Sequence, residues 1–393
     1  MRLRFLALLV GTTSCDIFAP GPARPVTIEL PFCGQFAISL GWAAVKNEGS
    51  DWVYLAVTEG KASFTATSAF TVAYGNSSDT QVYSVTADEM RDISCPNLRT
   101  PEAKFLNGSV RDIAADERFY VTVGSSRLSS TPFTVFVPDG SLDVVARTEN
   151  KNTALPQRII VRHGVDLPTG SEIPILDFGS TEARPFESAN MTANGIGSST
   201  FFSNEFMMPS VRHSLASGVF GQSTRFYAVP SSLLGADDYH ALNVRDFSNN
   251  TVRELVYYYR SARDAQVSLG PPASTPTGSV LSASPCTRLR ARIPAQAEYG
   301  SFVIVHFQVN EGLAGNTVVE VGLTREFLGE TPSTWTVDVP DLKRPDGSCL
   351  LSADRVFWSL YVTPQEGRIA LHLGGKGRHG EVRRWATAAW PEP

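Results

Sequence analysis

Charge is scarce in this chain and almost evenly split. Charged residues make up 19% of the 393, and the net charge is only −5. No broad basic field exists to hold nucleic acid, and no acidic block marks a disordered tail. Past the N-terminal stretch, no apolar run approaches the roughly 20 residues that a membrane-spanning helix needs. Cysteine is sparse as well. The five cysteines occur singly, without CxxC or clustered Cys/His spacing, so the usual structural-zinc patterns are excluded. Signatures of catalysis are missing too: no GxSxG elbow, no HExxH, no SxxK and no EF-hand loop. The Gly-rich run at 374–380 (GGKGRHG) lacks the spacing of a phosphate loop and reads as a turn. The sequence therefore names no catalytic residue, no metal ligand set and no cofactor.

What is present begins at residues 1–20, MRLRFLALLVGTTSCDIFAP. Arg2 and Arg4 give a short basic start, 5–10 are apolar, 11–14 are small, and Cys15 follows at once. This is the layout of an export signal. It resembles a bacterial lipoprotein signal, with Ser14 fitting the motif and Thr12 standing where that motif usually has Leu. The resemblance implies cleavage before Cys15, acylation of Cys15, and a chain held to the membrane of the bacterial cell envelope through that lipid, on the periplasmic or outer surface. An ordinary secretory signal cut near Ser14 or Ala19 is the alternative. Residues 16–25 form a Pro-rich tether that stays extended.

The other four cysteines, Cys33, Cys95, Cys286 and Cys349, are an even number, as expected in an oxidising compartment. They fall into two pairs of nearly equal spacing, one near each end. Three connectivities exist. Two local bridges, Cys33–Cys95 and Cys286–Cys349, are favoured because the others would tie the ends of the chain together. A bridge closing a loop of that length contributes roughly 3–4 kcal/mol.

Abundant Gly (31), Pro (25), Ser and Thr, with many Val, Phe and Tyr, suit short strands joined by tight turns. The expected fold is all-β: three to four tandem β-sandwich modules after the signal. In 26–100, alternating runs (VTIEL, WVYLAV, FTVAY, QVYSV) end in 86–93 (TADEMRDI), where Thr86 and Glu89 form a capping box for a short helix. Cysteines near both ends with Trp between resemble the immunoglobulin arrangement. Residues 101–182 hold RFYVTVG, PFTVFVP, LDVVAR and RIIVR. The run FTVFVPDGSLDVVAR resembles the carboxypeptidase-regulatory-like β-sandwich, which implies a non-catalytic spacer. Residues 183–270 read as a β-rich but irregular module, with a long loop at 188–204 and strands at 225–229 and 255–259. A strand ending in Tyr-x-Val followed by a helix-capping Ser or Thr occurs at 81–90 and again at 225–234, echoing a divergent repeat. Residues 271–285 are a Pro/Ser/Thr/Gly linker. Residues 286–393 alternate throughout and form the C-terminal sandwich. Over much of its length the chain resembles uncharacterised exported lipoproteins of environmental bacteria, and that resemblance implies no activity.

Candidate chemistry is thin. Asp237, Asp238 and His240 are the one close acid/His group, read chiefly as a solvated loop or helix cap and secondarily as a divalent-cation site. The six tryptophans lie in the terminal segments. Trp42 and Trp358 sit in apolar runs and belong to cores. Trp52, Trp385 and Trp390 are the candidates for exposed ligand-binding aromatics. Tyr257, Tyr258 and Tyr259 are consecutive, so a strand must show tyrosine on both faces. These features suggest a non-enzymatic envelope protein that binds a glycan or a protein partner, or acts as a scaffold, without nucleic acid. The alternative is a secreted hydrolase of polysaccharide or peptide, with its site among the loops of 185–250.

Overall fold

Alternation between apolar and polar residues builds almost every element. A computed structural model describes residues 25–30, 40–76, 78–91, 103–124, 126–209, 211–221, 223–247, 251–310, 316–351, 358–369 and 377–390. The signal with Cys15, nearly all of the tether, and both Cys33 and Cys95 lie outside these residues.

The first segment holds β1 (Val26–Leu30), β2 (Trp42–Asn47), β3 (Val53–Leu55), β4 (Ala62–Ala66), β5 (Ala69–Gly75), β6 (Asp79–Thr86) and the one-turn helix α1 (Ala87–Met90). The second holds β7 (Ala103–Gly108), β8 (Val110–Arg111), β9 (Glu117–Val123), β10 (Ser126–Leu128), β11 (Phe133–Pro138), β12 (Leu142–Asn150), β13 (Pro156–Val165), β14 (Leu176–Asp177) and β15 (Arg184–Pro185). The third holds β16 (Glu187–Asn194), β17 (Thr200–Met207), β18 (Arg212–Val219), β19 (Ser223–Ala228), β20 (Tyr239–Asp246), β21 (Val252–Tyr259) and β22 (Ala265–Ser268). The last holds β23 (Thr277–Ser282), β24 (Arg288–Pro294), β25 (Phe302–Asn310), β26 (Asn316–Thr324), the helix α2 (Arg325–Leu328), β27 (Thr334–Asp338), β28 (Trp358–Glu366) and β29 (Val382–Trp390). The chain is all-β, with sandwich-like layers.

One sheet of twelve strands runs in the order β18-β17-β20-β21-β29-β28-β25-β26-β6-β5-β2-β3. It takes strands from the first, third and last segments. Every neighbouring pair in it is antiparallel except β6 and β26, which lie parallel with Val82 beside Val321. Parallel neighbours need a crossover connection, and here that crossover is most of the chain. Smaller sheets cover this one. β1 and β4 supply Ile28, Leu30, Ala62 and Ala66 to a core with Val72, Tyr74, Tyr83 and Ile304. β24 and β27 supply Leu289, Ile293, Trp335 and Val337 to a core with Ala73, Val82, Val305 and Val321. Val72 and Ala73 are successive residues of one strand, so these two cores lie on opposite faces of the sheet. β16, β19 and β22 cover β20 and β21 through Met191, Phe226, Leu242, Leu255 and Tyr259. The second segment makes its own sandwich: β7 and β11 pack on the sheet β10-β9-β12-β13-β15 through Leu106, Phe133, Val135, Val121, Val144 and Ile160.

The parallel joint is tied at its end. Thr86 and Glu89 make the expected capping box, the threonine hydroxyl accepting from the Glu89 N–H and the Glu89 carboxylate accepting from the Thr86 N–H. Thr324 caps α2 at the end of the neighbouring strand, and its hydroxyl also donates to the Glu89 carboxylate at 2.9 Å. Gly322 makes room for Tyr83 across the ladder, since a Cβ there would sit 2.5 Å from the tyrosine ring. In the C-terminal segment, Cys286 and Cys349 form the expected bridge, with Cα atoms 5.4 Å apart.

Two expectations change. Most of 188–204 is strand rather than loop, shared between β16 and β17. Its inward residues Ala189, Met191 and Ala193 are mostly small, so the alternation is real but weakly hydrophobic. Within 271–285, β23 pairs with β24; its side chains are largely exposed, which is why the run reads as linker.

Candidate functional site

The outer face of the second segment's sheet carries the densest chemistry. On β9, Val121 and Val123 point into that segment's core, which turns Arg118, Tyr120 and Thr122 to the other side. β12 is covered on both faces, so Val145, Arg147 and Glu149 are buried away from the core that Val144 and Ala146 fill. The third segment packs onto this face. Val145, Ile159 and Val161 meet Phe206, Met208, Val211, Leu215, Tyr227 and Val229 in an apolar seam. Polar clusters lie beside the seam, one cationic and one acidic.

The cationic cluster is set by strand register. Tyr120 lies opposite Arg147, Arg118 opposite Glu149, and Arg127 of β10 opposite Thr122. Three guanidinium groups gather on one ring: the carbons of Arg127, Arg147 and Arg118 lie 4.4, 4.7 and 5.9 Å from the Tyr120 centroid. Glu149 accepts from Arg118 with one oxygen and from Arg147 with the other. Burial pushes the Glu149 carboxyl up, but the hydrogen bonds and charges of Arg147 and Arg118 outweigh it and hold the group below the usual range. For Arg147 burial wins and lowers its proton affinity, against the support of Glu149. Above this group, His213 of β18 places Nδ1 2.6 Å from the Thr122 hydroxyl. Burial, aided by Arg147 and Arg127, drives the His213 pKa well down, so the ring is neutral at pH 7. Arg147 Nε and His213 Nε2 are both buried and have no hydrogen-bond partner among the described residues.

The acidic cluster centres on His163. Its Nδ1 is 3.8 Å from Asp143, and its Nε2 is 3.5 Å from Asp238 and 3.0 Å from the Leu233 carbonyl. Asp143 also accepts from the Gly164 N–H, and Asp238 from the Gly235 N–H. Burial raises the Asp238 pKa, with the Gly235 N–H and His163 opposing. Arg260 holds the loop by donating to the Gly235 and Ala236 carbonyls.

The chain matches no protein-family model and no curated protein. Its chemistry is carried by geometry alone.

The residues singled out from sequence are dispersed by the fold. Asp237, Asp238 and His240 do not converge. Asp238 faces His163, while His240 is buried between the rings of Phe206 and Tyr259, at centroid distances of 5.1 and 4.8 Å. His240 Nε2 accepts from the Val229 N–H at 2.9 Å, and burial lowers its pKa to about 3. It is a core histidine. Trp52 is half-buried against the core that holds Trp335 and Val337. Trp385 is half-buried against Ala241, Val256 and Tyr258, with the Arg383 guanidinium 4.6 Å from its ring. Trp390 ends β29 opposite Leu360, and its side chain lies outside the described residues. The tyrosine run divides as expected: Tyr257 and Tyr259 stack at 5.7 Å on one face and Tyr258 lies on the other.

Arg118, Tyr120, Arg127, Arg147, Glu149 and His213 were not singled out by sequence reading. One signal was there: in RFYVTV the polar residues share one strand face, too rich in charge and ring for a plain solvated surface.

Proposed function

We propose that this chain is an exported, lipid-anchored protein of the bacterial cell envelope that acts as a non-catalytic binding or scaffold protein. The observation that carries the reading is the twelve-stranded sheet, which joins the first and last segments by a main-chain ladder and so suits fixed display of surfaces rather than flexible tethering. The Cys286–Cys349 bridge supports an oxidising compartment. The basic start, apolar run and Cys15 support anchoring through a lipid on that cysteine. The partner sought is a glycan or an envelope protein. Glycan and envelope-protein arrays probed with the mature chain test the reading: saturable binding without turnover is expected, and release of product from a polysaccharide or peptide would overturn it. Intact-mass analysis of the membrane-extracted protein tests the anchor. A mass shift by acyl groups, lost in Cys15→Ser, is expected; an unlipidated chain starting elsewhere would contradict it.

A second reading, a secreted hydrolase, is favoured by one observation: Asp143 and Asp238 flank the half-exposed His163. If that group does chemistry, Asp238→Asn abolishes turnover of a responsive substrate while the fold stays intact.

A further inference from the structure

The cationic cluster has more positive charge than it uses. Of three guanidinium groups only Arg118 and Arg147 reach the one carboxylate, Glu149, and both of its oxygens are engaged. Arg127 has no carboxylate partner among the described residues, yet it sits on the same ring as Arg147. Two cations pressed against one tyrosine repel each other, and the depressed proton affinity of Arg147 includes that repulsion. The polar groups at the base are also unfinished. Arg147 is 3% exposed and His213 1%, and Nε of the first and Nε2 of the second lack partners among the described residues. A buried donor without a partner costs about 1–3 kcal/mol. One such donor, Arg147 Nε, and the unpartnered His213 Nε2, a donor in one tautomer of the ring, lie beside an excess of positive charge and call for an acceptor that is negatively charged.

We propose that Arg118, Arg127, Arg147 and His213, gathered around Tyr120 where the second and third segments meet, bind a single oxyanion group: a sulfate, phosphate or carboxylate. The neutral His213 ring takes part as a donor when the Thr122 hydroxyl donates to Nδ1, which leaves the proton on Nε2. Arg147 supplies the second buried donor. Arg127 and Arg118, exposed at the rim, supply charge and the entry. The Tyr120 face is taken by guanidinium groups, so the site holds the charged group itself and does not stack a sugar ring. Occupancy bridges β9 and β12 to β18 and so strengthens the seam. This site goes beyond the scaffold reading and stands without it.

The shared chemistry has two sources, a free inorganic ion or an acidic group on a sugar. Titration calorimetry of the mature chain with sulfate, phosphate, glucose 6-sulfate and glucuronate, each against chloride at equal ionic strength, separates them. At least one should bind saturably, more weakly as salt rises. Tighter binding of the sugar acids assigns the group to a glycan, and tighter binding of the inorganic ions assigns it to a free anion. Arg127→Gln removes an exposed side chain and leaves the fold intact; it should weaken binding about tenfold, the loss of one charge-assisted contact. The control Arg91→Gln, at the C-terminal cap of α1, should leave binding unchanged. Failure of all four anions to bind, or equal affinity in Arg127→Gln and the unaltered chain, overturns the site.

Discussion

The β6/β26 joint and the seam between the second and third segments hold neighbouring parts of the chain together with different groups. At β6/β26 the join is a backbone ladder whose register is fixed residue by residue from Asp79 to Ser84. At the seam it is chiefly side chains: an apolar strip with charged clusters beside it, where the His163 ring meets the Leu233 carbonyl. Backbone amides do not titrate and do not depend on which side chain is present, so the ladder makes a permanent union. A side-chain seam answers to pH, to ligands and to single substitutions. The seam is therefore the joint expected to respond to such changes, through the two charged clusters beside it.

The largest blow to the seam is Phe206→Ala. Phe206 is fully buried there and stacks on His240. Its loss should cost about 4 kcal/mol in denaturant unfolding; a loss below about 1 kcal/mol would show that the seam carries little. On the ladder, Gly322→Val drives a side chain into Tyr83 and Ile304. A cost of about 3 kcal/mol is expected, and a neutral result would place β6 and β26 apart.

Acid should separate the two joints. The folded state lowers the His240 pKa from the usual 6.5 to about 3, so the unfolded chain binds the proton first. Stability from this group is complete above pH 6.5 and is lost as pH falls toward 3. By pH 5 the loss is about 2 kcal/mol, and His213, lowered in the same sense, adds to it. Thermal unfolding across pH 7.5–5 checks this, with His240→Gln flattening the slope; a profile flat in the unaltered chain would contradict it. The smallest effect is Thr86→Ala, which removes the cap of α1 beside the ladder and should cost about 1 kcal/mol by chemical denaturation.

Much of this fold was legible because alternation is a local property. Runs such as FTVFVP and RFYVTV fix which residues face inward, and the Thr86–Glu89 box needs only four consecutive positions. The Ser/Asn-rich stretch of β16 misled because Ala189 and Ala193 bury little apolar surface. The pairing of β6 with β26 was not legible, since nothing local in QVYS or VEVG says that strands so distant in sequence share a ladder. The cationic cluster was hidden for the same reason: Arg118, Arg127 and Arg147 sit on three strands and meet only through register. Asp237, Asp238 and His240 show the converse. Closeness in sequence placed them in different environments, because the chain turns into β20 between them.

Hydrogen–deuterium exchange at pH 7.5 and pH 5.5 tests the central contrast most directly. Amides of β6 and β26 should open with one common free energy at both pH values, while those of β17 and β18 should lose protection first on acidification. Earlier exchange of β6 than of β26, or equal loss at ladder and seam, would contradict the division between a permanent joint and an adaptable one.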